Sequence, residues 1–324
     1  MLFTRAELEA AAETVYAAMR PTPQYAWPLL ARRFGAEIWV KHENHTPVGA
    51  FKVRGGLVYL DRMQRERRAP GVVSATRGNH GQSLAFAGRR LGVPVTVLVP
   101  RGNAREKNAA MRAWGAELIE HGRDFDAARI RAAEIATEHG FEMVPPFDRD
   151  LARGVATYAL ELFTAVADLD AVYVPIGCGS GICGLIGVRD LLGLPTEIVG
   201  VVSAGAPAYA RSFAERRCIE TARAETFADG MAVRVPVRTA LDIILGGAAR
   251  VVEVGDDDVA EAIRVLHEDT HNLAEGAGAA ALAALAKERD AMRGKRVAVI
   301  LSGGNIDRLW AAEVLAGRTP RADR

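Results

Sequence analysis

Short strand-like runs alternate with helix-like stretches from one end of this chain to the other, and that alternation fixes the class of fold. The runs "EIWVKHE" (37–43), "GVVSA" (71–75), "VTVLVP" (95–100) and "AELIEH" (116–121) read as strands. So do the denser β-branched runs "AVYVPIG" (171–177), "EIVGVVS" (197–203) and "RVAVILSGG" (296–304). Helical patterns lie among them. Thr4 with Glu7 forms a capping box ahead of an alanine-rich helix that reaches about Met19. Further helices are expected at "FKVRGGLVYLDRMQRER", at 80–91, at 104–114, and in "DFDAARIRAAEIATEHG", "DDDVAEAIRVLHEDTHN" and "GAAALAALAKERD". Strands separated by helices run parallel and are covered on both faces, so the expectation is an α/β fold. At 324 residues, with this many strands, the chain has room for two lobes, each with a mainly parallel sheet flanked by helices. There is no internal repeat and no low-complexity linker.

Composition narrows the class further. Hydrophobic residues make up 49% and charged residues 25%, as in ordinary globular proteins. A net charge of +1 gives no reason to expect nucleic acid or an anionic membrane as a partner. No apolar run approaches the roughly 20 residues that span a bilayer. "MLFTRAELEAAAETVY" lacks the apolar core and cleavage site of a signal peptide. Cys178, Cys183 and Cys218 form neither an even disulfide framework nor a paired zinc pattern. A reduced, cytoplasmic chain is expected.

Three of the strand-like runs lead into glycine-rich loops: "SATRGNHGQS" (74–83), "GCGSGICG" (177–184) and "SGGN" (302–305). In open α/β sheets, ligands bind beyond the carboxyl ends of the strands. Gly177, Gly179 and Gly181 let successive N–H groups turn inward with a helix start behind them, which suits a phosphate. Close helix–strand packing is the alternative reason for such glycines. Lys52 lies in "PVGAFKVRGG" (47–56), between Phe51 and Val53. Apolar surroundings disfavour its ammonium form and make it a usable amine, able to form a Schiff base with a carbonyl cofactor. A snorkelling lysine on an amphipathic helix is the plainer reading. A reactive amine plus a separate phosphate cradle together fit pyridoxal 5′-phosphate.

The sequence resembles the fold-type II pyridoxal-phosphate enzymes, which share the architecture of the tryptophan synthase β subunit, and within them the serine/threonine dehydratase and serine racemase branch. "GAFKVRGG" is similar to the cofactor-lysine motif, "RGNHGQ" to the asparagine loop, "PIGCGSG" to the phosphate loop and "LSGGN" to the pyridine-nitrogen motif; "FADGMAV" (227–233) and "AEGAGA" (274–279) add weaker matches. The resemblance implies that Lys52 carries the cofactor and that Asn79 bonds its 3-oxygen. It also implies that Gly177, Cys178, Gly179, Ser180 and Gly181 bind phosphate through backbone N–H groups, and that Ser302 faces the ring nitrogen. Thr76, Arg77, Gly78, Asn79 and His80 would take the substrate carboxylate. A small mobile lobe over 70–148 would close on a large cofactor-binding lobe of 1–69 and 149–324, and a homodimer is expected.

Four departures qualify the likeness. Ala50 stands where a serine is usual, and Cys178 and Ser180 interrupt the glycine run. Arg77 occupies the position where serine racemases carry a serine as second base. The divalent-cation carboxylates expected after 197–203 are absent from "VVSAGAPAYA", so no metal is expected.

The implied activity is β-elimination of water from a 3-hydroxy amino acid, such as threonine, serine, 3-phenylserine or 3-hydroxyaspartate, giving a 2-oxo acid and ammonia. Lys52 would act as general base. Ser302 opposite the ring nitrogen favours elimination over a long-lived carbanion, and Arg77, a poor proton carrier, argues against racemisation. The alternatives are a cysteine synthase-like β-replacement enzyme, a racemase, or a non-enzymatic α/β binding module. His80 reads as a loop-orienting or capping residue, and His45 as either pocket wall or exposed loop. Glu275 reads either as a pocket contact through its loop or as helix N-terminal charge, and Asp256–Asp258 as a solvated helix start. The chain runs about 20 residues past "SGGN", so amino-acid feedback by isoleucine is not expected.

Overall fold

The computed structural model describes residues 2–123 and 125–321. It contains two sheets. The larger uses β1 (Gln24–Ala26), β2 (Glu37–His42), β7 (Ala171–Pro175), β8 (Glu197–Ser203), β9 (Arg250–Val254) and β10 (Arg296–Leu301), in the order β1-β2-β10-β7-β8-β9. The smaller uses β3 (Val72–Ala75), β4 (Val95–Val99), β5 (Glu117–Glu120) and β6 (Glu142–Met143), in the order β5-β4-β3-β6. All pairings are parallel except β1 with β2. Val299 of β10 faces Val40 on one side and Tyr173 on the other, so the last strand made fills the centre of the larger sheet.

Burial explains why the strands were readable. Val297–Leu301 are each no more than 2% exposed. At roughly 1.5–3 kcal/mol per buried aliphatic side chain, such a run has no stable solvated alternative. The Thr4–Glu7 capping box forms as expected at the start of the Arg5–Tyr16 helix.

The helix that begins at Lys52 and ends at Arg65 is held by two kinds of contact. The first is backbone proximity. A Cβ at Gly55 would lie 2.7 Å from the Leu151 carbonyl oxygen, and one at Gly154 would lie 2.3 Å from that of Arg54. The Lys52–Arg65 and Arg149–Ala165 helices therefore cross glycine on glycine. At Gly56 a Cβ would meet Ser83 Oγ at 2.2 Å, and that hydroxyl donates to the Lys52 carbonyl at 2.6 Å. The second contact is ionic. The fully buried Arg54 guanidinium donates to Glu43 (2.8 and 3.0 Å), Glu161 (2.6 and 3.0 Å) and Thr157 (2.9 Å), while Lys41 pairs with Glu161 at 2.5 Å. Two cations face two carboxylates, so the cluster is neutral. Losing one member would strand a buried charge at a cost of about 3–5 kcal/mol.

Candidate active site

Every residue singled out from the sequence as catalytic, cofactor-binding or substrate-binding lines one cavity of about 1550 Å³. Lys52, Thr76–His80, Gly177–Gly181 and Ser302 converge there from the starts of three helices and the end of β10.

Three contacts from the 302–305 loop clamp the segment that leads into the lysine. Ala50 bridges Gly303, Phe51 N–H donates to the Ser302 carbonyl at 3.0 Å, and Asn305 Nδ2 donates to the Val48 carbonyl at 2.8 Å. Gly49 adopts φ +69°, and a Cβ there would meet Asn305 Oδ1 at 2.7 Å. The Lys52 amine opens onto the cavity and donates to Ser180 Oγ at 3.1 Å, with the Phe51 ring centroid 5.1 Å away. Burial pushes its pKa below the ordinary lysine value, opposed weakly by the Cys178 thiol.

Opposite the amine, the Ser180–Leu191 helix starts without a side-chain cap. Its first-turn N–H groups are thus available to an anion. Gly179 has φ +101°, and a Cβ at Gly177 would lie 2.4 Å from the Gly230 carbonyl oxygen. Tyr209 and Tyr158 hydroxyls brace the loop by donating to the carbonyls of Cys178 (3.2 Å) and Gly181 (2.9 Å). Ser180 also brings its hydroxyl to the site, where it accepts from Lys52.

The asparagine loop forms the facing wall. Thr76 Oγ1 accepts from Gly78 N–H at 3.2 Å, and the Asn79–Leu91 helix also lacks a side-chain cap. Arg77 is exposed at the mouth, and its carbonyl accepts from Asn103. Burial, and then the charge of Lys52, hold His80 down to about 3, so the imidazole is neutral; its buried Nε2 has no partner.

The structure adds Lys107, which the sequence did not bring forward, and supplies the partners of Glu275 and of Asp229 in the 227–233 stretch. Glu275, offered by the sequence as a pocket contact or as helix N-terminal charge, lines the cavity, is 2% exposed and accepts from Asn79 Nδ2 at 2.6 Å. Burial pushes its carboxyl up to about 7 against the pull of Lys107. Lys107 and Asp229 pair at 2.6 Å in the same cavity. Nothing in "REKNAAMRAW" distinguishes Lys107 from a surface lysine; only the tertiary packing buries it. His45 is not part of the wall: it stacks on His42 (centroids 5.0 Å apart) and bonds Asn272. Asp256 is not merely solvated, because it accepts from Thr226 Oγ1 at 2.5 Å and Phe227 N–H at 3.2 Å.

A depressed lysine, two uncapped helix starts and a glycine cradle fit a carbonyl cofactor with a phosphate. Comparison with known proteins agrees. Residues 15–303 match the family described as pyridoxal-phosphate dependent enzymes. The chain belongs to this family. It is 38% identical over 278 residues to the L-threonine ammonia-lyase of Geobacter sulfurreducens, covering 86% of this chain and 69% of that one. It is 30% identical over 298 residues to the L-threo-3-hydroxyaspartate ammonia-lyase of Saccharomyces cerevisiae, covering 92% and 91%. It spans 58% of the length of several biosynthetic threonine dehydratases. Among solved structures, the processed threonine deaminase isoform 2 of Solanum lycopersicum superposes with a TM-score of 0.90 at 29% identity, covering 97% of this chain and 95% of the other. The fold is therefore fold-type II, and the family member is a pyridoxal-phosphate dependent, dehydratase-like lyase. Among the described residues no helix is long and apolar enough to cross a membrane.

Proposed function

We propose that this family member removes water from a 3-hydroxy amino acid and releases a 2-oxo acid and ammonia; water leaves and is taken up again, so the net product is ammonia. The observation that carries this reading is the Lys52 amine, lowered in basicity by burial, at 3.1 Å from Ser180 Oγ beside the Gly177–Gly181 cradle. When bound, pyridoxal phosphate supplies a carbonyl that condenses with amines and a conjugated ring that acidifies the substrate Cα proton. Lys52 and the 177–181 N–H groups would hold it, with Asn79 and Ser302 against the ring.

Within that frame the protein's own groups do the positioning and the proton work. Lys52, free as a neutral amine for part of the time, takes the Cα proton, and its hydrogen bond to Ser180 aims it. The uncapped start of the Asn79–Leu91 helix receives the substrate carboxylate. The Phe51 ring covers one side of the amine. Arg77 at the mouth selects the β-substituent, pairing with a second carboxylate or stacking on an aromatic ring. Residues 70–148 form a small lobe that moves over 1–69 and 149–324, and the assembly is a cytoplasmic homodimer.

The test is an assay of oxo acid and ammonia over threonine, serine, 3-phenylserine and 3-hydroxyaspartate, combined with borohydride trapping. Trapping should place the cofactor on Lys52, and Lys52→Ala should lose turnover by about 10³-fold or more while remaining folded. Arg77→Ala should slow the acidic or aromatic substrate about ten-fold more than threonine. An adduct on another lysine would sink the site, and equal slowing of all substrates would sink the role of Arg77.

A further inference from the structure

A continuous row of side chains crosses the cleft between the two sheets. Asn305 Nδ2 donates to Asn79 Oδ1 at 2.8 Å, and Asn79 Nδ2 donates to Glu275 Oε1 at 2.6 Å. Lys107 Nζ lies 3.7 Å from Glu275 Oε2 and donates to Asp229 Oδ2 at 2.6 Å. Asn79 and Lys107 belong to helices packed on the smaller sheet, whereas Asn305, Glu275 and Asp229 belong to segments of the larger-sheet half. Each link therefore joins one half to the other.

Two further observations tie this row to the cavity. The Lys107 stem runs under the asparagine loop, so that a Cβ at Gly78 would meet its Cδ at 2.6 Å. Glu275 Oε2, although buried, has no hydrogen-bond partner, and a Cβ at Gly303 would lie 2.4 Å from Oε1. The carboxyl is thus fixed between the 302–305 loop and Asn79, with one oxygen left to respond to charge.

We propose that Lys107 is a positioning residue that locks the two halves together and holds Glu275 as the acceptor for Asn79, so that closing the cleft and orienting the ring-binding amide are a single event. Asp229 and Asp307 also act on the cluster with negative charge, which makes Lys107 the counter-ion, while the Glu106 carboxylate beside Asp307 turns to the Arg308 N–H. Burial works against its ammonium, but Asp229 and Glu275 outweigh this and bring the amine up to about 12. Without that charge, Glu275 beside Asp229 takes up a proton, and its hydrogen bond from Asn79 weakens. The proposal rests on the reading that Asn79 contacts the cofactor ring.

The experiment uses Lys107→Met, Lys107→Arg and Asp229→Asn as holoenzymes and, for hydrogen exchange, also after cofactor removal. Lys107→Met should speed amide exchange across residues 76–82 and 105–113 about ten-fold, and Asp229→Asn should do the same from the opposite wall. The pH midpoint of the bound cofactor's visible absorption should shift by about half a unit or more in Lys107→Met. KM should rise about ten-fold with a smaller change in kcat, and Lys107→Arg should restore part of each effect. Exchange within two-fold of wild type in both Lys107→Met and Asp229→Asn, with the absorption midpoint unmoved, overturns the proposal. If Lys107→Met fails to fold, Asp229→Asn decides alone. Loss of the borohydride adduct from Lys52 in the unmodified protein would count against the proposed function, whereas exchange in the cofactor-free protein tests the latch separately.

Discussion

Lys52 shows how a residue can be a liability to folding and the centre of a site. Its folded pKa is depressed below the ordinary 10.5 because burial penalises the ammonium. The unfolded chain carries that charge freely. The penalty is therefore absent above pH 10.5 and grows as pH falls below it. Cofactor-free Lys52→Met should melt higher than the cofactor-free parent at pH 7, and the gap should close toward pH 10.5. Thermal unfolding at the two pH values checks this. A variant that melts lower at both would mean the amine is well paired, and its role as a base would lose support. Residue-level legibility was uneven for a physical reason. Lys52, Asn79 and the 177–181 glycines stand in short local motifs that carry the family resemblance, although their partners are remote in sequence. Lys107 and Asp229 owe their environment to helices and loops that are remote in sequence and meet only after folding.

At the level of elements, glycine spacing explains more than the glycine-rich loops suggested. Gly55 and Gly154 carry no cofactor; they let two helices cross at backbone contact directly behind Lys52. Gly154→Ala, whose Cβ would press on the Arg54 carbonyl, should destabilise the protein by about 1–3 kcal/mol, seen as a lower urea midpoint at unchanged slope. An unchanged midpoint would show that the helices can separate freely. The strands at 72–75, 95–99, 171–175, 197–203 and 296–301 were legible because each is nearly fully buried and β-branched. β9, "RVVEV", is only half-covered, β1 is a three-residue edge and β6 has two residues, so none has a run long or apolar enough to signal itself. The order of strands was not legible at all, because parallel crossovers leave no mark in the local pattern.

For the whole molecule, charge balance in the cavity bears on metal dependence. Asp229 and Glu275 share the Lys107 ammonium, and the "VVSAGAPAYA" stretch that follows the 197–203 strand contributes no carboxylate. Activity should survive exhaustive chelation; loss with EDTA and recovery with Mg²⁺ would contradict this. The position of β10 has a consequence for biosynthesis. Until residues 296–301 leave the ribosome, β2 and β7 have no common neighbour, and the larger sheet exists as two fragments with unpaired edges. The 302–305 loop that clamps Lys52 emerges later still. A nascent chain can thus complete its smaller sheet early but cannot close its cofactor pocket until nearly the whole polypeptide has been made, so any chain released short of β10 is both inactive and sticky.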